Sequence, residues 1–102
     1  MKSPRRDGRL SDLPNVGPRV TTIYRRLGIE SPAQLHDRDP LELYRRLGEV
    51  DGFMQDPCVL DTFLAVRSYL DGHDPQPWWA FTKRRNQILA TDAEGLQRTD
   101  DA

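Results

Sequence analysis

The segment Leu13 to Pro18, with the sequence LPNVGP, has the residue types of a turn that binds anions through its backbone. Asn15 and Gly17 can adopt the positive-φ conformations of tight turns, glycine more readily than asparagine. Pro18 suits the first position of a helix, because its fixed φ is helical and no N–H is needed there. The N–H groups of a first helical turn have no partner within the helix, and the helix dipole adds positive charge beside them. The segment is therefore a candidate phosphate-binding site.

A short run of residues would make the phosphate contacts. Gly17 and the amides after it are the main candidates, and Arg19 follows closely enough to donate to a flanking phosphate. The carbonyls of the turn are candidate ligands for a monovalent cation held between protein and phosphate. The predicted phosphate-binding residues are Asn15, Val16, Gly17, Arg19 and Val20, and the predicted flanking basic residues are Arg9, Arg25 and Arg26. The alternative is a turn that only joins two helices or docks a protein.

The elements that position this turn are helices. A capping residue followed by proline marks three helix starts, at Ser31-Pro32, Asp39-Pro40 and Asp56-Pro57. Glycines mark three predicted helix ends, at Gly28, Gly48 and Gly72. Residues 57–70 are apolar around most of a helical circumference, which predicts a central helix. No segment alternates as a strand does, so we expect an all-α fold of about five helices in a compact single domain.

A repeat sharpens this prediction. The sequence YRRLG occurs at Tyr24 to Gly28 and again at Tyr44 to Gly48. Aligning the preceding segments places Leu35 to Pro40 opposite the first turn, which predicts a helix-hairpin-helix motif followed by a second, degenerate hairpin. The second hairpin has no glycine and carries Asp37 and Asp39, which would repel a phosphate at close range. We interpret it as structural only.

Charge is unevenly distributed along the 102 residues, although the net charge is only −1. Residues 1–26 carry +5, residues 27–82 carry −6, and the remainder is balanced. This asymmetry favours an anionic partner on the basic side. The alternative is an arginine-rich chain with ordinary solvated faces.

The chain divides into three predicted parts. Residues 1–8 form a basic N-terminal arm, residues 9–82 the helix-hairpin-helix domain, and residues 83–102 a polar, disordered tail. Within that tail, Ile88, Leu89 and Leu96 could form a marginal helix.

Several kinds of site are excluded by composition. The single Cys58 rules out an internal disulfide and a cysteine-based zinc site, and His36 and His73 lack a metal-binding pattern, so we expect no metal. No apolar segment resembles a signal peptide or a membrane span, so we expect a cytoplasmic protein with no membrane partner. Asp37 and Asp39 follow the hairpin at roughly the distance of the essential aspartate in helix-hairpin-helix glycosylases. Such an enzyme needs a deep pocket between two substantial subdomains, and this chain has neither the length nor a second half for one, so we expect no enzyme.

Two further features have alternative interpretations. Cys58 lies at a helix start, where the dipole could lower its pKa, or it is a small core residue. Trp78 and Trp79 could stack on bases, or they form a lid over the central helix.

Four segments, in this order along the chain, resemble those of a known protein family. They are LPNVGP with LGIESPAQL, then DRDPLELYRRL, then DPCVLDTFLAVRSYL, and finally PWWAFTKRR. Over about residues 9 to 85 the chain resembles the pathogenicity-locus family of small bacterial helix-hairpin-helix proteins, some members of which carry the label mitomycin resistance protein. The chain departs from the general motif at Asn15, where glycine is preferred, and at Thr21, where alanine is common. The resemblance implies the helical fold and a link to DNA damage or mitomycin resistance.

We therefore expect a non-enzymatic module that binds the DNA backbone weakly and without sequence specificity, and that needs no cofactor beyond the monovalent cation. The alternative is a protein–protein interaction adaptor in which the hairpin is purely architectural.

Overall fold

The computed structural model describes Arg5 and residues 8–100, with side chains as far as Ala93, and it is all-helical. Over this part of the chain there are five α-helices and two 3₁₀ turns. The helices are α1 (Pro18–Arg26), α2 (Pro32–Leu35), α3 (Pro40–Asp51), α4 (Pro57–Leu70) and α5 (Thr82–Asp100), and the 3₁₀ turns are Leu10–Asp12 and Trp78–Phe81. The predicted all-α class is confirmed. None of the described helices is long and apolar enough to cross a bilayer.

The three predicted helix starts are confirmed, each with proline in the first turn of its helix. The Asp39 carboxylate accepts a hydrogen bond from the Glu42 N–H at 3.3 Å. The Asp56 carboxylate accepts one from the Cys58 N–H at 2.9 Å. These caps satisfy amide groups that the helices leave without partners.

Two of the three predicted helix ends are also confirmed. Gly28 and Gly72 follow α1 and α4 with φ of 81° and 102°. Gly48 was predicted wrongly, because it lies inside α3, which continues to Asp51 and ends at Gly52 with φ of 77°. A glycine permits a helix end but does not force one. Here the extra turn is held because the Asp51 carboxylate accepts hydrogen bonds from Arg26 and Gln55.

Helix α4 is the central helix, as predicted. It packs against α3, α5 and the Trp78–Phe81 turn, and its side chains are buried on most sides. Its Phe63 ring stacks on Tyr24 of α1, with the ring centroids 5.1 Å apart. Burial of both rings removes a large apolar area from water and fixes α1 against the core.

Helix α5 occupies most of the segment predicted as a disordered tail. Its first turn is attached to the core by Asp61 of α4, whose fully buried carboxylate accepts hydrogen bonds from Thr82 Oγ1 and Arg85 Nε, both at 2.8 Å. Ile88 and Leu89 then pack against the hydrophobic core. These contacts are distant in sequence, so local polarity did not predict them. Leu96, the third residue of the predicted marginal helix, has a side chain outside the described part.

The predicted basic arm, residues 1–8, lies mostly outside the described residues. Its Arg5 is described, and the guanidinium donates to the carbonyl oxygens of Tyr69 at 2.6 Å and His73 at 2.7 Å. The same group lies 4.1 Å from the centroid of the Tyr69 ring. Arg5 therefore caps the carboxyl end of α4, where a cation is favoured by the helix dipole.

Candidate nucleic-acid interface

The segment Leu13 to Pro18, called the amide loop below, is anchored by two buried side chains. Leu13 and Val16 are each 5% exposed, and the Val16 N–H donates to the Leu13 carbonyl at 3.2 Å. Between them Asn15 has φ of 68°, as the sequence predicted. Gly17 has φ of −93° and ψ of −169°, so the positive φ considered for it is wrong. Gly17 is instead the N-cap of α1, a position that takes extended backbone.

The surface above Gly17 is open. Gly17 is exposed, and a Cβ placed on it would meet no atom within 4 Å. Its carbonyl accepts hydrogen bonds from the N–H and the hydroxyl of Thr21, both at 2.9 Å. The loop is thus held from below while its outer side remains accessible.

Beside this opening, three backbone donors have no hydrogen-bond partner among the described residues. The first α-helical hydrogen bond of α1 runs from the Thr21 N–H to the Gly17 carbonyl, which leaves the N–H groups of Arg19 and Val20 unpaired within the helix. The Gly17 N–H likewise makes no hydrogen bond to another described residue. This is the donor arrangement that binds an anion at a helix N-terminus.

The other two predicted contact residues have different surroundings. The Val16 side chain and N–H are both engaged inside the loop, as described above. The Asn15 side chain donates to the Gln76 carbonyl at 2.7 Å and accepts from the Trp78 N–H at 3.0 Å. Asn15 therefore attaches the amide loop to the segment that leads into the Trp78–Phe81 turn.

Arg19 shares its surroundings with Asp56, which the sequence analysis considered only as a helix cap. Asp56 has a pKa held below its usual value, chiefly by the hydrogen bond from the Cys58 N–H, with smaller contributions from the Cys58 thiol and the charge of Arg19. Both side chains line a polar cleft of about 600 Å³ along α1. A phosphate on the loop would therefore meet the attraction of Arg19 and some repulsion from Asp56.

The flanking basic residues do not converge on the loop as a group. Arg26 lines the same cleft as Arg19, but its guanidinium pairs with Asp51 at 2.9 Å. Arg25 and Arg9 are exposed and have no ion pair among the described residues. The basic face therefore centres on Arg19.

A second space, called the inter-helix cavity below, lies beside the amide loop. Its volume is about 260 Å³. It is a half-open space bordered by the start of α1, the start of α4 and the Trp78–Phe81 turn. The lining residues are Asn15, Arg19, Val20, Ile23, Asp56, Cys58, Val59, Thr62, Phe63 and Trp78.

The environment of Cys58 corrects one expectation. The hydrogen bond between its thiol and Asp56 raises the Cys58 pKa, with burial and the charges of Asp56 and Asp61 acting in the same direction. The suggestion that the helix dipole lowers this pKa is therefore wrong, because the interactions with the capping carboxylate act in the opposite direction and prevail. The thiol stays protonated at neutral pH.

The tryptophan pair is split between two environments. Trp78 lines the inter-helix cavity, whereas Trp79 is 64% exposed, and the two rings meet edge to face with centroids 5.6 Å apart. The turn does pack on α4, but its outer aromatic surface remains accessible to a partner.

The loop predicted to be a second, degenerate hairpin is bound by an arginine of the central helix. Arg67 donates to the carbonyl oxygens of His36 at 2.6 Å and Arg38 at 3.2 Å. The Asp37 side chain is 93% exposed. This loop presents a carboxylate outward and has its carbonyls occupied, in contrast to the amide loop.

Sequence reasoning missed two anchoring residues, Asp61 and Arg67. A signal for Asp61 was present, because it is an acid in the middle of an otherwise apolar helix and a buried charge needs a partner. For Arg67 there was no such signal. Over the described residues, no three His, Cys, Asp or Glu side chains are grouped as metal ligands.

Comparisons with known proteins assign the chain to a family. Residues 5–87 match the pathogenicity locus family (Cdd1), and the chain belongs to that family. It is also similar to the mitomycin resistance protein McrB of Streptomyces lavendulae, with 43% identity over 89 residues that cover 87% of this chain and 83% of the relative. No solved structure matches.

Proposed function

We propose that the chain is a non-enzymatic DNA-binding module that holds the sugar-phosphate backbone at the amide loop, without sequence specificity. The observation that carries the proposal is the group of three unpaired N–H donors, on Gly17, Arg19 and Val20, beside an exposed glycine with open space above it. A phosphate oxygen can approach such donors closely, and Arg19 adds a charge-assisted contact. Contacts to phosphate carry no base information, so binding is nonspecific.

A monovalent cation can assist this contact. The carbonyls of Pro14, Asn15 and Val16 accept no hydrogen bond from another described residue. A cation on these oxygens would bridge the loop to a phosphate and offset the nearby negative charge of Asp56. We therefore expect tighter DNA binding in K⁺ than in tetramethylammonium at equal ionic strength.

The similarity to a named relative suggests the biological role of this chain. The name of the Streptomyces lavendulae relative associates that protein with mitomycin resistance. A resistance-related role for this chain is consistent with a module that binds DNA.

The decisive experiment is a fluorescence anisotropy titration of a labelled duplex at low salt. The variants are Gly17→Ala, Gly17→Asp and Arg19→Glu. Gly17 has a negative φ and no neighbouring atom at its Cβ position, so alanine fits the fold but hinders close approach of a phosphate. We expect Gly17→Ala to weaken binding several-fold, and Gly17→Asp and Arg19→Glu to weaken it by at least about tenfold, as expected for loss of charge-assisted contacts.

Arg46→Glu is the matched control for Arg19→Glu. Arg46 is exposed, forms no ion pair among the described residues, and lines neither the cleft nor the inter-helix cavity. Both substitutions change the net charge equally, so only a local contact distinguishes them. Equal binding by all variants, or no binding by the wild-type protein, would reject the DNA-binding proposal.

The second candidate function is a protein-interaction adaptor. It is favoured by an apolar groove of about 650 Å³ between α3, the loop before α4, and α5. Phe53 and Met54 at this groove are 63% and 89% exposed, more than a side chain of the core would be. This function predicts no DNA binding in the titration above and a loss of partner binding in the Phe53→Ser variant.

A further inference from the structure

The inter-helix cavity and the amide loop share residues, so a single nucleotide can occupy both. Arg19 and Val20 carry two of the unpaired N–H donors, and their side chains line the cavity. A phosphate bound at those donors would therefore place its attached sugar and base at the mouth of the cavity.

The lining of the cavity has the chemistry of a nucleobase site. Its floor is closed by Ile23 and Phe63, which are 6% and 2% exposed. Trp78 also lines the cavity, and Asp56 and Thr62 supply polar atoms. A base is likewise a flat apolar body with polar edges, and proteins hold unpaired bases by aromatic stacking and hydrogen bonds to those edges.

The size of the cavity restricts the ligand. Its volume of about 260 Å³ lies just below the range of about 300–1,000 Å³ that is usual for drug-sized ligands. A volume of this size suits a small ligand such as a single nucleobase.

The amide loop itself holds Trp78 in place at the cavity. The Asn15 side chain accepts a hydrogen bond from the Trp78 N–H and donates to Gln76, so the loop and Trp78 are held in fixed relation. A site with such internal bonds requires little reorganisation on binding.

We propose that the inter-helix cavity receives one unpaired nucleobase while the amides of Gly17, Arg19 and Val20 hold the adjoining phosphate. This inference rests on the proposed DNA-binding function and defines its substrate class as DNA with an unpaired nucleotide. A base already out of the stack is the favoured ligand, because extraction from a duplex requires unstacking and unpairing.

The test compares three labelled DNAs of equal length by anisotropy: a paired duplex, the same duplex with one bulged nucleotide, and that bulge with an abasic residue. We expect the bulged DNA to bind on the order of tenfold more tightly than the duplex, in the range of stacking one base on an aromatic side chain. The abasic bulge should bind like the duplex. Equal binding of all three DNAs, with sensitivity to Gly17→Asp, overturns the cavity proposal and leaves the proposed function intact. Absence of binding to every DNA overturns both.

Cys58 provides a variant that fills the cavity without touching the amides. We expect Cys58→Phe to abolish the preference for the bulged DNA while duplex binding is retained, and Cys58→Ala to keep the preference. A preference unchanged in a folded Cys58→Phe protein overturns the proposal.

The wild-type protein gives an independent measurement with 2-aminopurine as the bulged base. Its fluorescence should be quenched on binding because the base stacks on Trp78, and unchanged fluorescence of the bound DNA overturns the proposal as well.

Discussion

At the residue scale, Asn15 combines two roles that a glycine in the same turn would separate. Its backbone takes the positive φ of 68° that the loop needs, and its side chain makes both hydrogen bonds to the 76–78 segment. Glycine would supply the backbone conformation alone. The departure from the general helix-hairpin-helix pattern at Asn15 therefore has a structural reason in this chain.

We expect Asn15→Gly to lower the free energy of unfolding by about 1–2 kcal/mol, since two partly exposed hydrogen bonds are lost. Asn15→Ala should cost about 1 kcal/mol more, because alanine is strained at this φ. Urea denaturation followed by tryptophan fluorescence measures both. Equal stability of the two variants would show that the left-handed backbone is not retained at this position.

The reactivity of Cys58 is a second prediction for a single residue. Because the hydrogen bond to Asp56 and burial raise the thiol pKa, iodoacetamide should react more slowly at pH 8 than with a peptide thiol, whose pKa is about 8.5. The rate should rise with pH through a midpoint above that value. Asp56→Asn removes the carboxylate and retains a capping oxygen, so it should lower this midpoint and speed alkylation several-fold.

Asp71→Asn is the control for this measurement. Asp71 lies at the other end of α4 and pairs with Arg67, so its charge does not act on the thiol. A wild-type rate equal to that of the peptide, or an equal effect of both substitutions, would contradict the assigned cause.

At the element scale, the attachment of α5 to α4 depends on a buried ion pair. Asp61 is fully buried, and Arg85 and Thr82 are its hydrogen-bond donors. Removing the cation alone leaves a carboxylate buried without its charge partner, which costs about 3–5 kcal/mol in comparable sites. We expect Arg85→Met to approach the lower end of that range, because the Arg85 side chain retains 16% exposure.

The double variant Asp61→Leu with Arg85→Met separates charge from packing. It should be more stable than Arg85→Met alone, because no uncompensated charge remains. Chemical denaturation with circular dichroism as the signal compares the wild type, the two single variants Asp61→Leu and Arg85→Met, and the double variant. A double variant that loses the sum of both single effects would show that the pair does not act as a unit.

The sequence predicted those parts of the fold that depend on neighbouring residues. Helix starts at Pro32, Pro40 and Pro57 follow from a cap and a proline in adjacent positions, and they are correct. The order of α5 depends on Asp61, more than twenty residues earlier, so its polar composition alone suggested disorder. The candidate site likewise has a part that depends on neighbouring residues and a part that depends on distant ones. The turn at Asn15 is local, whereas its contact with Trp78 joins residues far apart in sequence.

At the scale of the whole molecule, many arginines make contacts within the protein, although among the described residues only Arg5 and Arg26 of these belong to the basic N-terminal part. Several arginines form ion pairs with Asp or Glu side chains, namely Arg26, Arg38, Arg45, Arg67 and Arg85. Arg5 is bound to carbonyls at the end of α4. The charge counted from the sequence therefore overstates the number of cations that an external phosphate can contact. Among the described arginines that lie near the amide loop in sequence, Arg9, Arg19 and Arg25 remain available.

This small number of available cations sets the salt dependence that we expect for the proposed DNA binding. Each neutralised phosphate contributes about −0.9 to the slope of log K against log salt, so two to four contacts give a slope of about −2 to −4. Arg19→Glu should reduce its magnitude by about 1, whereas Arg46→Glu should leave it unchanged. Anisotropy titrations over a series of KCl concentrations measure the slope. A slope near −8 would mean that the paired arginines also release their partners to bind phosphate, and the single-loop contact would then be the wrong description of the interface.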